Sequence, residues 1–132
     1  MAAKVGIVLV SHSAALAEGA AELAGQIGGG AVTIATAGGT DDGRIGTSAA
    51  KVQRAVQAAD GGGGIVILPD LGSSVLTVRA LLADPDELPA RVVMADAPFV
   101  EGAVAAAVAA AADGDLDAVL EAAQEARHAR KL

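Results

Sequence analysis

Lys4-Val5-Gly6-Ile7-Val8-Leu9-Val10-Ser11-His12-Ser13 opens with a short apolar run that gives way to a histidine flanked by two serines. The run is too short and too poorly flanked for a secretory h-region, and its β-branched content reads as a strand over 4–10. Three further β-branched runs, at 31–37, 64–70 and 90–97, are the other strand candidates. Longer Ala/Leu patterns separate them. Leu16, Ala20, Leu23 and Ile27 share one face of a first helix, Val52 and Val56 mark a second, and Val75, Val78 and Leu82 mark a third. Two helices close the chain, over 100–112 and 116–129, separated by Asp113-Gly114-Asp115. Leu116, Val119, Leu120 and Ala123 form the apolar face of the last one.

Strands alternating with helices of this length imply right-handed crossovers and an open, mostly parallel sheet covered on both faces. The predicted fold is therefore α/β and flavodoxin-like, with strand order 2-1-3-4 and room for an extra edge strand. In that order the first and third strands are neighbours, and their helices leave to opposite faces.

The chain has 132 residues, 53% of them hydrophobic, which is enough for one core and one domain over 1–132. Sixteen acidic against nine basic residues give a formal charge of -7, which opposes binding to nucleic acid or to an anionic membrane. No cysteine is present, so disulfides and thiolate metal sites are excluded and a reducing cytoplasm is compatible. The Ala-rich stretch 102–112 is too short to span a bilayer, so no membrane insertion is expected. Phe99, the single aromatic, provides no platform for stacking bases.

His12 falls just past the first strand and before the first helix, at the carboxyl rim where ligands bind in open α/β sheets. An imidazole there is a nucleophile for phosphorus, and the amides opening the next helix are receivers for phosphate oxygens. A loop histidine beside a helix-capping Ser11 or Ser13 is the plainer explanation. Pro69-Asp70-Leu71-Gly72-Ser73-Ser74 ends the third strand, beside the first in the predicted order. Asp70 is placed to hold one ring nitrogen of His12 and fix its tautomer, while Gly72, Ser73 and Ser74 offer close backbone approach, hydroxyls and amides. A strand-ending Asp followed by a Ser cap is the structural alternative.

The third rim loop, 38–48, is long and Gly-rich. With Ser13, its Gly39 and Thr47 complete the expected phosphate-binding set of Ser13, Gly39, Thr47, Gly72, Ser73 and Ser74, although Gly46-Thr47-Ser48 also reads as a plain helix cap. Asp41, Asp42, Asp70 and Asp96 lack a ligand spacing, so no metal is expected. The fourth rim, 96–102, holds Phe99, expected to pack near the site or at an interface. His128 lies in a basic last turn and reads as structural. No P-loop, dinucleotide fingerprint or Gly-x-Ser-x-Gly elbow occurs.

Taken in order, Gly6-Ile7-Val8-Leu9-Val10-Ser11-His12-Ser13, Leu16-Ala17-Glu18-Gly19, Gly46-Thr47-Ser48 and Asp70-Leu71-Gly72-Ser73 resemble the mannose-type enzyme IIA family of the phosphoenolpyruvate-dependent phosphotransferase system. The resemblance runs over nearly the full length. Ala97-Pro98-Phe99-Val100-Glu101-Gly102-Ala103 looks like the dihydroxyacetone-kinase branch rather than the sugar-transporting branch, which typically has Asn-Leu-Pro. The resemblance implies a cytoplasmic homodimer that accepts a phosphoryl group from phospho-HPr on Nε2 of His12, oriented by Asp70. The group would pass to ADP on the ADP-binding subunit of dihydroxyacetone kinase, with a covalent phosphohistidine and no cofactor. Two departures stand out: Ser74 replaces a common Ala, and no HPr-like or enzyme-I-like domain follows, so HPr is expected as a separate protein. Enzyme IIA of a mannose-, fructose- or sorbose-type transporter is the nearest alternative, and a noncatalytic flavodoxin-like binding module the next.

Overall fold

The computed structural model describes residues 3–89 and 91–132. In chain order the elements are β1 (Gly6–Ser11), α1 (Ala14–Ile27), β2 (Ile34–Gly38), α2 (Ala49–Ala59), β3 (Ile65–Pro69), α3 (Gly72–Ala83), β4 (Val92–Met94), α4 (Phe99–Ala111) and α5 (Leu116–Glu125). The strands form one parallel sheet in the order β2-β1-β3-β4, as predicted. Among the described residues the sheet has four strands and no further edge strand. β4 is shorter than the predicted 90–97, and Ala90, where that prediction begins, lies outside the described residues.

Both faces of the two central strands are buried, which is why β1 and β3 read as unbroken apolar runs rather than as alternating ones. Ile7, Leu9, Val66 and Leu68 point to the layer of α1, α4 and α5. Val8, Val10, Ile65 and Ile67 point to the layer of α2 and α3, against Val52, Val56, Val78 and Leu81. The helices following β1 and β3 thus leave to opposite faces, and the rim between these strands is the open crevice of the fold. Each fully buried aliphatic side chain here contributes about 1.5–3 kcal/mol of transfer free energy.

Two predicted helix faces are corrected. On α1 it is Ala17, Ala20 and Ala24 that are buried, while Leu16 and Leu23 are 45% exposed and Ile27 is 55% exposed. The alanines win because α1 lies close against the small-residue helix α4: a Cβ on Gly28 would sit 3.0 Å from Cβ of Ala107. Bulky Ile7 and Leu9 already fill the floor beneath, leaving no volume for leucines. On α3 the inward residues are Ser74, Val78 and Leu81, and the predicted Leu82 is at the surface. Val52 and Val56 of α2, and Leu116, Val119 and Ala123 of α5, are buried as expected. The last helix turns 3-10 over Ala126–His128 instead of continuing to 129.

Ser13, Ser48 and Asp115 cap α1, α2 and α5 through their side chains, accepting from the amides of Leu16, Lys51 and Ala118. Neither α3 nor α4 has a side-chain cap. Among the described residues no helix is long and apolar enough to cross a membrane.

Candidate functional site

Parallel register sets Val10 opposite Pro69 and Ser11 opposite Gly38, so the ends of β1, β2 and β3 meet at one rim. Backbone hydrogen bonds then lace the departing loops together: Gly39 N donates to Ser11 O, Gly46 N to His12 O, and Asp70 N to Val10 O. Gly38 admits the start of α1, because a Cβ there would lie 2.6 Å from Cα of Ala14. His12 is held at this junction with its side chain 23% exposed.

Asp70 is the hub. Its Oδ1 accepts from Nδ1 of His12 at 2.9 Å, from the Ser74 hydroxyl at 2.8 Å and from the Leu71 amide at 2.6 Å. Its Oδ2 accepts from the Ser11 hydroxyl at 2.8 Å and the His12 amide at 3.0 Å. Burial works against the charge on this carboxyl, but the hydrogen bonds from the His12 amide and ring and from Ser74 and Ser11 outweigh it, holding the pKa at about 2 against an ordinary 3.8. Asp70 is therefore ionised at neutral pH and only accepts. Nδ1 of His12 is therefore the donor in that contact, and in the neutral ring Nε2 carries the lone pair. The Ser73 hydroxyl lies 2.6 Å from Nε2 and is the donor to it in that ring form.

Thr47 joins the two serines, its hydroxyl lying 3.2 Å from Ser73 Oγ and 3.1 Å from Ser74 Oγ. Ser74 spends its proton on Asp70 and Ser73 spends its proton on Nε2. The single Thr47 proton can serve only one of its two contacts. One hydroxyl–hydroxyl contact is thus left without a proton. Beside it, α3 opens with the amides of Gly72 and Ser73, which precede the reach of any intrahelical acceptor and have no side-chain cap over them.

The predicted residues divide accordingly. His12, Asp70, Thr47, Ser73 and Ser74 form one connected cluster, with Gly72 at its edge. The Ser74 hydroxyl is turned inward and fully buried. Ser13 is spent as the cap of α1, and the amide of Gly39 is spent on Ser11, in a turn with φ +75° that favours glycine. Asp41 accepts from Ser48 and Asp42 from Thr40, fastening the 38–48 loop, while Asp96 pairs with Arg127. Among the described residues, no three His, Cys, Asp or Glu side chains converge as a metal site. Phe99, the first residue of α4, is partly buried against the core on the α1, α4 and α5 side of the sheet, and His128 is exposed in the 3-10 turn. Ser11, read from sequence only as a possible cap, is instead a fully buried donor to Asp70. Its one signal was a hydroxyl closing an apolar strand, and its partner emerges only from the β1–β3 register.

Residues 6–120 match the family described as EIIA-man, PTS system fructose IIA component. A Listeria innocua protein described as PEP-dependent dihydroxyacetone kinase 2, phosphoryl donor subunit DhaM, is 39% identical over 103 residues, covering 77% of this chain and 82% of that protein. DhaM phosphoryl donor subunits of Providencia stuartii and Escherichia coli are 42% and 40% identical over 106 residues, covering 76% and 77% of this chain. The matched region is only 22% of each of those two longer proteins. The crystal structure titled as that of the unknown function protein EF1359 superposes with a TM-score of 0.80 at 35% identity, covering 92% of this chain and 94% of that one. With a fold match over 92% of the chain and a family match over residues 6–120, this protein belongs to the EIIA-man family of phosphotransferase-system IIA components.

Proposed function

We propose that this chain is a phosphoryl donor subunit of a phosphoenolpyruvate-dependent dihydroxyacetone kinase, carrying the phosphoryl group on Nε2 of His12. The observation that carries the reading is the state of the His12 ring. Asp70 accepts from Nδ1, which leaves a lone pair on Nε2 at the open rim. In the charging step that lone pair attacks the phosphorus of a phosphohistidine on HPr. The P–Nε2 bond forms, the P–N bond to HPr breaks, and the HPr imidazole leaves with its electron pair. In the discharging step a terminal oxygen of ADP attacks the same phosphorus. His12 then leaves as a neutral imidazole, because its Nδ1 proton has stayed against Asp70 throughout.

The surroundings support both steps. Ser73 can pass its hydroxyl proton from Nε2 to a phosphoryl oxygen, Thr47 stands beside it, and the open amides of Gly72 and Ser73 add donors at the positive end of α3. An open rim suits a group handed between two proteins, because in-line transfer needs positioning and charge stabilisation rather than an enclosed pocket. The family description names a fructose system, which keeps sugar transport as the second reading. The donor-subunit relatives, at 39–42% identity, favour the kinase.

Incubation with enzyme I, HPr and phosphoenolpyruvate, followed by mass spectrometry under alkaline conditions, should give one acid-labile phosphate. It should be lost in His12→Ala, retained in His128→Ala, and discharged by the ADP-loaded kinase subunit. No phosphate on His12 would refute the carrier role, and a phosphate the kinase subunit cannot discharge would favour a sugar transporter.

A further inference from the structure

We propose that Ser11 and Ser74 are positioning residues for His12, each clamping one oxygen of Asp70 so that the carboxylate plane, and through it the imidazole tautomer, is fixed. Among the described residues these two are the fully buried polar side chains, in a core that is otherwise aliphatic. Burying a hydroxyl costs free energy unless it is hydrogen-bonded, and both are spent on the same carboxylate. Ser11, from the end of β1, donates to Oδ2 at 2.8 Å, and Ser74, from the first turn of α3, donates to Oδ1 at 2.8 Å.

The arrangement answers a specific mechanical need. The terminal torsion of an aspartate is broad, so a carboxylate held by one ring nitrogen alone would swivel. The backbone amides of His12 and Leu71 also reach Asp70, at 3.0 and 2.6 Å, and the two serines add one side-chain donor to each oxygen. The two serines stand on the buried sides of a strand and a helix, both fully shielded from solvent. Both are tied further: Ser11 Oγ accepts from the Ser13 amide at 3.0 Å, and Ser74 Oγ lies 3.1 Å from Thr47 Oγ1 and 3.3 Å from Nδ1 of His12 itself. With both oxygens pinned, Oδ1 stays opposite Nδ1 of His12. Without the pins the ring can adopt the other tautomer, with a proton on Nε2 and no lone pair toward an incoming phosphorus.

The consequence for transfer rests on the reading of Nε2 as phosphoryl acceptor, but the tautomer itself does not, so the two can fail separately. Ring nitrogen NMR on the unphosphorylated protein, ¹⁵N-labelled at histidine, should show His12 as a single Nδ1–H tautomer and the Ser11→Ala/Ser74→Ala variant as a mixture. Charging by phospho-HPr should lose on the order of tenfold in kcat in that variant with KM little changed, because what is lost is the reactive ring form and not the docking. Packing is separated from hydrogen bonding by Ser74→Thr and Ser74→Val, which add nearly the same bulk. The Thr variant should keep the single tautomer and the Val variant should lose it. A pure Nδ1–H tautomer with unchanged kcat in the double variant, or equal behaviour of Thr and Val, would overturn the proposal and leave the serines a purely structural role.

Discussion

Asp70→Asn exchanges a carboxylate that receives five donors for an amide that accepts on one side only. The folded protein holds the Asp70 pKa at about 2 against an ordinary 3.8. Nearly two pH units, at about 1.4 kcal/mol each, make the ionised carboxylate worth about 2–3 kcal/mol to the fold at neutral pH. Because the folded pKa is the lower one, this contribution is complete above pH 3.8 and is lost as the pH falls toward 2. A second loss does not depend on pH. With the Asn carbonyl facing Nδ1 of His12, its NH2 faces the His12 amide, which cannot turn away as the Ser11 hydroxyl can, and an opposed buried donor costs about 1–3 kcal/mol. Urea unfolding followed by circular dichroism from pH 7 to pH 2 should therefore show the variant about 3–6 kcal/mol less stable at neutral pH, the gap narrowing by about 2 kcal/mol below pH 4. A gap of constant size across that range would refute the charge argument, and no gap at all would refute the hub.

Two further substitutions test how the scaffold carries the site. Gly38→Ala would push a methyl group against Cα of Ala14 and the carbonyl of Ser13, and both are backbone atoms. It should cost about 2–4 kcal/mol in urea unfolding and displace the His12 amide resonance, whereas Gly19→Ala, on open helix surface, should be neutral or stabilising. The packing of α1 is tested by Leu23→Gln, which should change stability by less than about 0.5 kcal/mol, and by Ala24→Leu, which should cost about 1–3 kcal/mol. The reverse order of those two effects would restore the leucine face as the buried one.

The order of elements, the parallel sheet and the position of His12 at its rim were legible in the sequence because each rests on local pattern: apolar runs, helical spacing, and the rule that ligands meet strand ends. The pairing of His12 with Asp70 was legible for the same reason, since strand order alone makes their loops neighbours. The buried face of α1 was not. Hydrophobic spacing marked Leu16, Leu23 and Ile27, but which side of a helix is buried depends on the volume left by its neighbours, and alanine-rich α4 together with Ile7 and Leu9 left room only for alanines. Nor was the division of labour among the hydroxyls. Ser11, Ser13, Ser73 and Ser74 are the same residue type at strand or helix ends, yet one caps a helix, one faces Nε2 and two hold Asp70. Hydrogen bonding is short-ranged and directional, so these roles are set by strand register and by helix rotation to within about an ångström, and only the folded chain supplies that precision.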